Sequence, residues 1–126
     1  MTPHLSAREA SAPTGLSIQV TWAGDHGCTV VLSGEIDIVS ADDLYQGLTT
    51  VMRRYGPRIA LDAAAVHFCD ARGLGALVRA ANHARAHGGG LIVVAASPKL
   101  STLISVTGLA RRFAPAPPPP DRHRPP

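Results

Sequence analysis

The side chains able to do chemistry in this chain fall into a few groups. His83 and His87 stand one helical turn apart, a spacing that puts two imidazoles on one face, as a metal pair requires. No Glu base or third ligand accompanies them. They read instead as the solvated last turn of a helix, where the macrodipole favours histidine. His67 and Cys69 alternate and would share one face of a strand. A nucleophilic thiol also needs a third, orienting group, and none lies near in sequence, so Cys69 reads as a packing residue. Asp37, Asp62 and Asp70 fall at or just after the ends of strand-like segments, the edge where α/β sheets collect functional groups, but their spacing makes no acid–base pair. Gly73-Leu74-Gly75 lacks both the Lys-Ser/Thr of a phosphate loop and the dinucleotide fingerprint. Nowhere do nucleophile, base and orienter coincide, which points to a protein that is not an enzyme and that needs neither metal nor cofactor.

What stands out is the turn His67-Phe68-Cys69-Asp70-Ala71-Arg72-Gly73-Leu74-Gly75. Asp70 is a good N-cap for the Leu/Ala pattern that follows. Arg72 is out of place, because a cation in a first turn meets the positive end of the helix dipole, where an anion is favoured. A position that breaks a local rule is where function, or its loss, is to be sought.

The elements that must hold this turn can be read from periodicity. Met1 to Gly15 is Ser/Ala/Pro/Thr-rich and aperiodic, and is expected to be a disordered segment (1–15). Leu16 to Trp22 alternates apolar and polar, Ala23 to Gly27 supplies turn residues, and Cys28 to Ser33 gives a second strand, with Gly34-Glu35-Ile36-Asp37 leaving the sheet. Ser40 and Asp43 resemble a capping box before a helix whose stripe is Ala41, Leu44, Leu48, Val51, Met52 and Tyr55, stopped by Gly56-Pro57. Arg58 to Asp62 is a short strand whose alanines lead on toward Val66 and Phe68. A helix from about Arg72 to His87 presents Leu74, Leu77, Val78, Ala81 and Ala84 on one face, before Gly88-Gly89-Gly90. Leu91 to Ala96 is continuously apolar and reads as an interior strand covered on both faces. Ser97-Pro98 opens a third helix, with Leu100, Leu103 and Ile104 inward and Gly108 as its C′ residue. Beyond Phe113 the prolines predict a basic disordered tail (114–126). The order implies an α/β fold, helices packed against a mixed sheet through right-handed crossovers.

The net charge of +3 does not mark a nucleic-acid binder. Between Ala10 and Ala110, Arg53, Arg54, Arg58, Arg72, Arg79, Arg85 and Lys99 are balanced by an equal number of acids, and the excess lies at the C-terminus. Such a body lacks the surface that neutralises phosphates. Cys28 and Cys69 have no metal spacing and no secretory signal precedes them, so reduced thiols in a cytoplasmic protein are expected. The longest apolar run is too short to span a bilayer, so no membrane insertion is expected.

The residues from Val30 to Asp37, ending Gly34-Glu35-Ile36-Asp37, resemble the strand and Gly-Glu-(Leu/Ile)-Asp loop of STAS domains of the anti-sigma factor antagonist type. The stretch from Asp62 through Asp70-Ala71-Arg72-Gly73-Leu74-Gly75 is similar to that family's Phe-x-Asp-Ser-Ser-Gly-Leu-Gly, and Ser97-Pro98 and Thr107-Gly108-Leu109 match later joints. The resemblance spans residues 16–113 in order and spacing. It implies a STAS-type sheet and a partner switch in which the unphosphorylated antagonist binds an anti-sigma factor of the serine-kinase type and releases a sigma factor. Phosphorylation of the motif's second serine ends that binding.

Carried over residue by residue, the resemblance makes Asp37, Asp70, Ala71, Arg72, Gly73 and Leu74 the partner-binding set. It also marks two departures. Ala71 and Arg72 stand where the serines would be, so no phosphorylation is expected there, and the proline run replaces the family's usual final helix. The implied function is therefore a non-phosphorylatable antagonist. The alternatives are a STAS accessory subunit of an ABC-type lipid transporter, or a decayed paralogue.

Overall fold

Alternation along Ser17-Ile18-Gln19-Val20 sends Ile18 and Val20 into the core and leaves the polar residues half-buried, as a strand with one covered face requires. In the computed structural model, which describes residues 8–11 and 15–113, the elements are β1 (Arg8–Ser11), β2 (Ser17–Ala23), β3 (Gly27–Ile36), α1 (Ala41–Tyr55), β4 (Arg58–Cys69), α2 (Ala71–Ala86), β5 (Gly90–Ala96), α3 (Pro98–Thr107) and a 3-10 turn, Ala110–Phe113. The strands form one mixed sheet in the order β1-β2-β3-β4-β5. The β1–β2 and β2–β3 pairs are antiparallel, and β3–β4 and β4–β5 are parallel. Each parallel step needs a crossover, which α1 and α2 supply.

The two crossover helices pack against each other and against the sheet. Leu44, Leu48, Val51 and Met52 are the buried stripe of α1. In α2 the buried set is mostly small, Ala76, Ala80, Ala81 and Ala84 around Leu74 and Leu77, which lets the helix lie close to its neighbours. They meet Ile18, Val30, Leu32, Ile59, Leu61 and Leu91 from the sheet in one core. At the far end α3 crosses β4 and β5, burying Leu100, and the 3-10 turn buries Phe113 against α2 and β5. Gly108 ends α3 at φ 72°, the left-handed conformation expected of it.

Four sequence expectations are corrected here. Residues 8–11, inside the segment expected to be disordered, form a strand on β2; the pairing uses backbone groups, so Arg-Glu-Ala-Ser needs no apolar alternation to make it. Gly34-Glu35-Ile36 does not leave the sheet, because β3 runs on to pair Ile36 with Cys69. The short strand and alanine run are one strand, β4, its register shifts letting it follow β3 to the end. Leu91 to Ala96 is an edge strand: Leu91 is fully buried, while Val94 is 58% exposed. An apolar run of this length does not distinguish an edge from the interior. The missing final helix and the proline tail lie outside the described residues.

The position of β5 sets an expected contrast. Leu61→Ala, emptying a fully buried site on the interior strand β4, costs about 2–5 kcal/mol, whereas Val94→Ala stays within about 0.5 kcal/mol in urea unfolding. Equal costs would place β5 in the interior after all.

Candidate functional site

Because β3 and β4 run parallel and stay paired to their last residues, their C-terminal ends deliver two loops side by side, at the edge where such sheets gather functional groups. The first loop is Asp37 to Ser40 and the second is the Asp70 turn. A backbone bond joins them directly: Asp70 N–H donates to the Ile36 carbonyl at 3.1 Å.

The Asp70 turn is built as expected. Asp70 is extended at the N-cap of α2 and its Oδ1 accepts the Gly73 N–H at 2.8 Å. Gly73 is buried against β3, and a Cβ there would strike the Ile36 carbonyl oxygen, so only glycine lets α2 begin this close to the sheet. Leu74 is buried in the core. Of the six residues assigned to partner binding, Gly73 and Leu74 thus hold the turn in place and Asp70 caps it. Ala71 and Arg72 are the two that face solvent.

Asp37 has an internal role as well. Its Oδ1 accepts the N–H groups of Val39 and Ser40, each at 3.0 Å, and its own N–H donates to Ser40 Oγ at 3.0 Å. The Ser40 hydroxyl lies 3.0 Å from the Glu35 carbonyl and 3.2 Å from Asp37 Oδ1. Ser40 is fully buried and makes no side-chain cap on α1, which corrects the capping box expected with Asp43. The hydroxyl is drawn back into the loop because a buried polar group takes the partners within reach.

This closed loop pushes out two residues that the sequence reading passed over. Ile38 is 59% and Val39 67% exposed. Two large aliphatic residues between Asp37 and Ser40, on no helical or strand face, were the available signal. Beside them a cleft of about 600 Å³ lies between the start of α1 and the start of α2, lined by Ile38, Ala41, Asp42, Arg72, Gly75 and Arg79 among others. A second cleft, about 360 Å³, flanks the turn on the α3 side, with Cys69, Lys99, Leu103 and Val106 in its wall.

The other residues singled out by type stay apart. Asp62 accepts the Ala64 N–H within its own stretch of β4. His83 and His87 stack with centroids 4.3 Å apart, and burial, then His87, then Arg53, lower the pKa of His83. Among the described residues no three ligating side chains gather for a metal, and no helix is long and apolar enough to cross a membrane. Burial, and secondarily the Asp70 carboxylate, push the Cys69 thiol up to about 11, which suits a packing residue and not a nucleophile.

This arrangement, two loops displayed at one end of a mixed sheet by buried glycine and serine, has a known family. The model of the STAS domain described as Mlab matches residues 19–115, and the chain belongs to the STAS-domain family. An anti-sigma factor antagonist from Mycobacterium paratuberculosis is 33% identical, with a TM-score of 0.67 over 82% of this chain and 87% of that one. The anti-sigma factor antagonist SpoIIAA in its unphosphorylated form (18% identity, TM-score 0.64, 77% of this chain and 85% of that one) shares the fold. So does the Bacillus cell fate determinant SpoIIAA in its phosphorylated form (18%, 0.60, 77% and 88%). No curated protein matches the chain in sequence.

Two outcomes follow from this geometry. Asp70→Ala, which removes the cap, costs about 0.5–2 kcal/mol in denaturant unfolding; no loss would mean that the Gly73 N–H finds another partner. Alkylation of Cys69 by iodoacetamide keeps accelerating with pH toward about 11, since thiolate forms late. A plateau at the ordinary cysteine pKa, about 8.5, would contradict the assigned environment.

Proposed function

We propose that this protein is an anti-sigma factor antagonist that binds a serine-kinase-type anti-sigma factor and so frees a sigma factor for transcription, without control by phosphate at the usual position. The observation that carries the reading is the 33% identity, across most of both chains, with the antagonist from Mycobacterium paratuberculosis. Binding is placed on Ala71 and Arg72 together with Ile38 and Val39, with Asp37, Asp70, Gly73 and Leu74 holding that surface in shape. Supporting the second half is the side chain at the turn. Neither Ala71 nor Arg72 carries a hydroxyl, and the arginine has the wrong charge to imitate a phosphate. Activity is then set by the amount of antagonist.

A second reading is kept because the matching family model is described as Mlab: a STAS accessory subunit docked on an ABC-type transporter ATPase. Incubating the purified protein and its Arg72→Ser variant with ATP and the anti-sigma kinases of the source genome, and in parallel with its ABC-transporter ATPases, separates the two. Both proteins are expected to form the complex, with phosphate appearing on the variant alone. Capture of a transporter ATPase in place of any kinase would favour the second reading. Phosphate on the natural protein would end the claim of constitutive binding.

A further inference from the structure

The cleft beside the turn has a charge pattern that specifies its occupant more narrowly than a family resemblance does. Arg72, Gly75 and Arg79 follow at three- and four-residue steps, so they share one edge of α2, and that edge forms one wall of the cleft. Between the two arginines Gly75 leaves a notch; a Cβ added there would meet nothing within 4 Å. Opposite stand Ile38 and the first turn of α1. Arg79 is already held, its guanidinium 4.1 Å above the Tyr45 ring and 3.8 Å from Asp42. Arg72 is exposed and has no hydrogen-bond or ion-pair partner among the described residues. Its position also sets its charge against the helix dipole, and an incoming anion would relieve that conflict.

We infer that the cleft takes an acidic amphipathic segment of the protein partner, one carboxylate pairing with Arg72 while an apolar side chain enters the notch at Gly75 against Ile38. The inference rests on the partner-binding reading and adds the partner's chemistry. A free arginine, an open notch and an exposed isoleucine together match a carboxylate and an aliphatic side chain about one helical turn apart. Nucleic acid is a poorer occupant, since the apolar part of the cleft wall, Ile38 with Ala41 and Ala71, offers nothing to a phosphate backbone. Charge here sets which partners are accepted: a segment carrying a lysine at the contact is repelled by Arg72, and an acidic one is drawn in.

The test titrates the full isotope-labelled chain with a helix-forming Leu/Glu peptide and with the same peptide carrying Gln at every Glu. Expected are shifts at the Ile38 and Gly75 amides and at the Arg72 side chain, affinity about tenfold higher for the acidic peptide, and loss of that advantage in Arg72→Glu. Glutamate is tolerated in a first turn, so this variant keeps its fold; Arg72→Lys retains part of the preference. Equal affinity for both peptides, shifts confined to other faces, or a second copy of the chain occupying the cleft would overturn the inference. No kinase enters the titration, so failure to capture a kinase is a separate result. A captured kinase whose affinity ignores Arg72→Glu would overturn this inference while the partner reading stands.

Discussion

The hydrogen bond from the Asp70 N–H to the Ile36 carbonyl ties the end of β4 to the end of β3, and Gly73 lets α2 start directly against it. Without that close approach the two loops would not lie side by side. A side chain at Gly73 would lever the first turn of α2 off the sheet, moving Leu74 out of the core and Arg72 away from Ile38. The displayed surface therefore depends on groups that are buried or already bonded within the turn. This division is physically economical: rigid buried groups fix the geometry, and exposed ones are left free to vary in charge.

Arg72 is an instance of that freedom. The cap, the glycine and the loop bonds hold whatever side chain stands at 72, because none of those contacts uses it. The relatives have solved structures in unphosphorylated and phosphorylated forms, and they share this backbone. In this chain the first turn of α2 carries the exposed Arg72.

Much of the architecture was legible in the sequence. Asp70 as cap, Ser97-Pro98 at the start of α3, Gly108 at its end and the buried stripe of α1 all follow from local rules, since capping and helical periodicity act over a few residues. The capping box at Ser40 failed for the opposite reason: Glu35 and Asp37 compete for the same hydroxyl, and their reach depends on where β3 ends. The place of β5 was hidden because an apolar strand looks alike at an edge and in the interior.

By itself, then, the sequence determined the order of elements, the helix caps, the family resemblance and the misplaced cation, all of which are written in neighbouring residues. Tertiary structure alone decided that Gly73 and Leu74 face inward while Ile38 and Val39 face out, that residues 8–11 add a strand, and that Arg72 shares a cleft with Ile38. Those facts depend on contacts between distant parts of the chain. The register of β3 against β4 sets them, and no local pattern encodes it.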